Sequence, residues 1–262
     1  MRTKLFLVLS VFLGVSPLAH AKGGMIMRGG QGFLFPDHNS TINAGQWALA
    51  SGVGVEAMYT RSTTGTSQTA TPSVVYGNGR MGFGVAANRS GTDLLNNATN
   101  SIAGGLGFAM MKDVLTFGAT YSQVLGTSSL GDLSAQLNFN PSGRKGFAFG
   151  LGYTRGLGSG TNSATVALGY SFMHNNTLEV DFELPALDSF SNYNVSAHFT
   201  MMKQFIYLGG GYLLVNNGTM LHGATGRLGF VLGGSLDLSF WARYFFTTGS
   251  PIEYGGTVRV AF

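Results

Sequence analysis

Glu179, Asp181 and Glu183 stand two residues apart, so an extended backbone sets their carboxylates in one row on one face. Arg227, Arg243 and Arg259 lie toward the C-terminal end, with Asp237 and Glu253 between them, and Glu56 comes from far upstream. Two arrangements follow from these residue types. Facing each other across an aqueous passage, a basic and an acidic wall set a transverse field. Paired among themselves, the same groups only satisfy buried charge. Trp241 faces the same way as Arg243 and is placed to stack on Arg227 from a neighbouring strand.

Catalysis has one candidate constellation. Ser196, His198 and Glu179 carry the residue types of nucleophile, base and acid. A polar interior yields such trios by chance, and neither G-x-S-x-G nor H-E-x-x-H occurs. Beyond residues 1–21 the remaining histidines, His38, His174 and His222, are too scattered for metal ligation. Cysteine is absent, which excludes disulfides, thiolate metal sites and a cysteine nucleophile. The expectation is a protein that is not an enzyme and has no cofactor and no metal.

The composition indicates what holds these residues. Charged residues are only 10% of the 262-residue chain, glycine accounts for 41 positions, and aromatics reach 12%. A disordered chain would be charged and poor in aromatics. A soluble enzyme would carry more surface charge, about a quarter of its residues. At the start, Arg2 and Lys4 precede the apolar stretch Leu5 to Val15, Pro17 breaks it, and Ala19-His20-Ala21 reads as an A-x-A cleavage site. Residues 1–21 are therefore expected to be a signal peptide, too short in its apolar part to span a bilayer, which takes about 20 residues. Without that segment 13 basic residues face 11 acidic ones, scattered rather than clustered, which is no nucleic-acid footprint.

The rest of the chain alternates. Phe147, Phe149, Leu151 and Tyr153 interleave with Ala148, Gly150, Gly152 and Thr154; Leu178, Val180, Phe182 and Leu184 interleave with Glu179, Asp181 and Glu183. Segments of about ten such residues between turns are the signature of a transmembrane β-barrel, the sheet form that satisfies all its backbone groups in lipid. The fold class expected is all-β: a closed antiparallel barrel over residues 46–262. Fourteen runs are expected near 46–59, 71–77, 80–89, 101–110, 114–124, 131–140, 146–155, 163–173, 177–184, 190–201, 204–214, 223–232, 236–246 and 253–262. Pro72 makes the second run short or starts it, and the run from 204 has no clean face, so twelve strands is the alternative. Tight turns alternate with longer polar connections near 61–70, 90–100, 156–162, 185–189, 215–222 and 247–252.

A fourteen-stranded barrel encloses more space than small inward residues fill. The lumen-facing set is Glu56, Glu179, Asp181, Glu183, His198, Arg227, Asp237, Trp241, Arg243, Glu253 and Arg259. Residues 22–45 have no strand or helix pattern and are expected to fold into the periplasmic end as a plug, the alternative being a loose tail. Arg61, Arg89 and Arg155 fall at outer strand ends, where they meet lipopolysaccharide phosphates or remain solvated.

The last strand, Tyr254 to Phe262, resembles the terminal signal of bacterial outer-membrane barrels, read by the assembly machinery through the final Phe262. Fourteen strands behind a plug-like segment resemble the FadL/OMPP1/TodX family of outer-membrane transporters for hydrophobic molecules. That family carries an Asn-Pro-Ala motif in a hatch before the first strand; here Asn43-Ala44-Gly45 occupies the place, and only Asn43 fits. The chain lacks the family's long outer loops, so the likeness is architectural. The resulting expectation is an outer-membrane channel passing small, hydrophobic or amphipathic solutes by passive diffusion. Its partners are outer-membrane lipid and lipopolysaccharide, the barrel-assembly machinery and a small-molecule solute, with no nucleic acid. The alternatives are a structural or surface-interaction barrel with a closed lumen and, less favoured, a lipid-modifying barrel enzyme.

Overall fold

Alternation with a period of two becomes a sheet with two chemically opposed faces. The computed structural model describes residues 44–64, 67–111, 114–127, 130–141, 145–173, 176–188 and 190–262. Fourteen strands follow a short 3-10 helix (Ala44–Leu49): β1 (Ser51–Ser62), β2 (Gln68–Asn78), β3 (Met81–Asp93), β4 (Asn97–Met111), β5 (Leu115–Val124), β6 (Asp132–Phe139), β7 (Gly146–Gly156), β8 (Asn162–Met173), β9 (Asn176–Leu184), β10 (Tyr193–Lys203), β11 (Ile206–Asn216), β12 (Met220–Leu232), β13 (Leu236–Phe245) and β14 (Glu253–Ala261). Each pairs antiparallel with its sequence neighbours, and β1 pairs with β14 to close the barrel.

Burial is inverted relative to a water-soluble protein. Phe147, Leu168 and Phe240 are 76%, 59% and 61% exposed, whereas Glu179, Arg259 and Arg227 are 2%, 3% and 5% exposed. Among the described residues the apolar cluster of buried residues is Ala44, Trp47 and Val75. An outer face this apolar is stable only against hydrocarbon, because water contact costs about 25 cal/mol per Å². The two rims of that face differ. Tyr59, Tyr121, Tyr153, Tyr212, Tyr244 and Tyr254 point outward near the end opposite the tight turns, whereas Phe83, Phe108, Phe117, Phe139, Phe147 and Phe172 point outward near the turns. Tyrosine hydroxyls bond to polar neighbours there: Tyr153 donates to Asn162 Oδ1 at 2.8 Å and Tyr121 to Gln123 Oε1 at 3.1 Å. Aromatic girdles with a wet end belong at a membrane–water interface.

Several boundaries depart from the periodicity. The first strand begins at Ser51, not at 46; residues 44–49 turn instead into the 3-10 helix inside the barrel. β2 begins at Gln68, ahead of Pro72. Its pairing with β1 is unbroken at Ala57↔Pro72, but its ladder with β3 skips Thr71 and Pro72, where the proline has no N–H to give. A side-chain bond from Thr71 Oγ1 to Asn88 Oδ1 at 3.2 Å bridges the gap. The run from 204 is a full strand whose faces are blurred by three consecutive glycines, Gly209 to Gly211. The connections expected near 90–100 and 215–222 shrink to the turns 94–96 and 217–219, because β3, β4, β11 and β12 run on past the apolar band. The expected signal peptide, residues 1–21, and residues 22–43 lie outside the described residues.

An arginine in place of Leu151, outward-facing in the middle of β7, is expected to cost about 2–4 kcal/mol of folding stability in lipid vesicles, measured by urea titration.

Candidate functional site: the barrel interior

The inward face of β1 and β11–β14 is organised by an ionic cluster. Register aligns Glu56 on β1, Arg259 on β14 and Asp237 on β13 in one row. Arg259 Nε and Nη2 donate to Glu56 Oε2 at 3.0 and 2.8 Å, and Nη1 lies 3.9 Å from Asp237 Oδ2. Asp237 Oδ1 accepts from Tyr207 Oη at 2.8 Å. Arg227 Nη2 donates to Tyr207 Oη at 3.2 Å and to Ser239 Oγ at 2.6 Å. Tyr207 reaches this cluster because its register partner on β12 is Gly229, so no side chain blocks the ring. Nearer the loops, Arg243 Nε donates to Glu253 Oε2 at 2.9 Å, a more exposed pair.

This wall therefore carries Arg227, Arg243 and Arg259 against Glu56, Asp237 and Glu253, cations and carboxylates in equal number and largely paired. Of the two arrangements read from the sequence, pairing is the one formed here, and a strongly basic wall is not. The guanidinium of Arg227 lies over Tyr207, 5.3 Å from the ring centroid. Trp241, expected to stack on Arg227, instead lies against Gly255 of β14. Tyr207 and Ser239 were not singled out from the sequence. An inward tyrosine opposite a glycine was the available sign, but the glycines of β11 obscured which way that strand faced.

The acidic row sits further along the wall, on β9, two strands from β11. Glu179 and Asp181 are buried on β9 and Glu183 is exposed at its loop end. Their register partners on β10 are His198, Ser196 and Asn194. Ser196 Oγ donates to Asp181 Oδ2 at 3.4 Å, and Asn194 Nδ2 to Glu183 Oε2 at 3.0 Å. The Ser196 hydroxyl is thus directed to a carboxylate, whereas a nucleophile needs a bond to its base. His198 is buried beside Gly211, where a Cβ would collide with Nδ1. Among the described residues no group of three or more histidines and acids can hold a metal ion.

The 3-10 helix is seated on the inner face of β2–β6. Its backbone rests on glycines. A Cβ on Gly77 or Gly82 would collide with the backbone of Trp47, one on Gly107 with Ala44, and one on Gly118 with Gly45. The Trp47 ring packs on Gly84 and Val75, and Gly79 N donates to Ala50 O at 3.0 Å, which anchors the helix to the β2–β3 turn. The cradle explains much of the glycine content: main chain on main chain leaves no room for side chains between. Asn43, one residue before the helix, lies outside the described residues.

Toward the loops, β5–β9 leave a recess of about 230 Å³ whose lining includes Thr120, Gln136, Thr154, Ser163, Thr165 and Glu183. The lining is dominated by hydroxyl, amide and carboxylate groups, the opposite of the outer face.

No family model matches the chain, and no curated protein matches it either. Solved structures do. A variant of the Rh. blastica porin carrying five substitutions superposes with a TM-score of 0.52 at 9% identity, covering 80% of this chain and 99% of that one. A triple mutant of the Rhodopseudomonas blastica porin gives 0.51 at 8% identity with the same coverage. The barrel is similar in fold to porins. At such identity the likeness extends to architecture alone, and none of these comparisons supports the FadL/OMPP1/TodX resemblance.

Removing one partner of the buried cluster leaves the others uncompensated. Glu56→Ala is expected to lower unfolding stability by about 3–5 kcal/mol in denaturant titrations. Adding Arg259→Met to it is expected to recover part of the loss, because no buried cation then remains beside the vacated position.

Proposed function

We propose that the chain is a passive diffusion channel of the bacterial outer membrane. The observation that carries this reading is a closed fourteen-stranded barrel with an apolar outside and a lining of hydroxyls, amides, charges and glycines. Barrels of more than about eight strands exceed what side chains alone fill. The porin fold likeness supports the same class. Polar solutes suit the lining better than the hydrophobic ones implied by the FadL/OMPP1/TodX resemblance. In this reading Arg61, Arg89 and Arg155, exposed at the tyrosine end, contact lipopolysaccharide phosphates. Phe262, whose N–H donates to Val53 O at 2.8 Å across the barrel seam, is the residue that the assembly machinery reads. The 3-10 helix is the last turn of a plug that begins upstream, and it narrows the turn end.

A second reading, a closed structural barrel, is favoured by the helix and ionic cluster filling that end. Conductance in planar bilayers separates the two. The wild type is expected to give small steps. Gly118→Val, which unseats the helix at Gly45, and deletion of residues 22–49 are both expected to give larger ones, with β-sheet circular dichroism unchanged. No conductance from any of the three proteins removes the channel reading.

A further inference from the structure

We infer that the recess on β5–β9 is a binding site for a small polyhydroxylated cation. The inference deepens the channel reading by naming a solute class. Three observations meet there. The lining carries hydroxyls from Thr120, Thr154, Ser163 and Thr165, which give or accept hydrogen bonds as a solute requires. The amide of Gln136 also lines it; this residue is 3% exposed, and its Oε1 has no hydrogen-bond partner. A buried acceptor without a partner costs about 1–3 kcal/mol, so a donor delivered to it is favoured. Among the described residues the charged side chain of the lining is Glu183, and Arg and Lys contribute none to it.

Position gives these groups an order. Gln136 is in register with Gly118, the glycine under the helix, so it forms the inner end of the recess. Glu183 is next to Thr165 in register and lies at the loop end of β9. A solute arriving from the tyrosine end meets a carboxylate first and an amide oxygen last. One Glu183 oxygen accepts from Asn194, which holds the carboxylate against the wall and leaves the other oxygen for the solute. Both ends of the site accept hydrogen bonds and one carries negative charge. An ammonium with hydroxyls fits this donor–acceptor pattern, a neutral polyol makes the same hydrogen bonds without the charge, and an anion is repelled.

Three six-carbon open-chain probes differ only at one end: glucamine (ammonium), sorbitol (hydroxyl) and gluconate (carboxylate). Their binding to the full chain in detergent micelles is measured by isothermal titration calorimetry at neutral pH. Glucamine is expected to bind about tenfold tighter than sorbitol, the size of one hydrogen bond to a charged group, and gluconate not at all. Glu183→Gln is expected to bring glucamine down to the sorbitol level, and Gln136→Met to weaken both. Equal binding of the three probes, binding of none, or glucamine affinity unchanged by Glu183→Gln overturns the proposal. Calorimetry needs no conduction. A barrel that binds glucamine but passes no current keeps this site and loses the channel, and the reverse result keeps the channel and loses the site.

Discussion

The seam between β1 and β14 is the interaction on which the rest of the molecule depends. In hydrocarbon an unpaired backbone N–H or C=O costs several kcal/mol, so an open sheet of these strands has no stable form there. The two strands are far apart in sequence, and their meeting closes the longest loop in the chain. Nine register pairs from Gly54↔Ala261 to Ser62↔Glu253 hold the closure, with Phe262 adding bonds to Val53 at the turn end. The most buried ion pair among the described residues, Glu56 with Arg259, bridges the same seam. Burying a charge pair is a poor way to gain stability, but it is a strong way to define register, because a shift by one residue would turn one of the two groups into lipid and leave the other unpaired.

Glycine performs a second task beside flexibility. Tyr207 lies over Gly229, His198 over Gly211, Trp241 over Gly255 and the Trp47 ring over Gly84. In each case a large inward side chain occupies the space a neighbouring strand leaves by having no Cβ. The same device, used with main chain instead of side chain, seats the helix on β2–β5. A lumen thus acquires contents without bulky residues from every strand, and the strands remain able to approach one another.

The barrel was written in the sequence most openly where one face is greasy without interruption. Phe147 to Tyr153 and Leu178 to Leu184 place their strands within a residue of the observed ends. Elsewhere local pattern and long-range packing diverge. Gln46 to Ala50 alternate well enough for a strand, yet the glycines that seat this stretch as a helix include Gly118, more than seventy residues later, beyond any local reading. The polar ends of β3 and β4 read as loop because they rise past the hydrocarbon, where alternation of greasiness stops although backbone pairing continues. Parity sorts the charges of each strand onto one face, but parity says nothing of partners. Which arginine meets which acid depends on the stagger between strands, and that stagger is a property of the closed sheet.

The turns 94–96 and 217–219 are three residues each, so β3–β4 and β11–β12 rise past the girdle as paired strands and not as loose loops. Backbone held in such ladders offers proteases, antibodies and other proteins little loose chain to grasp.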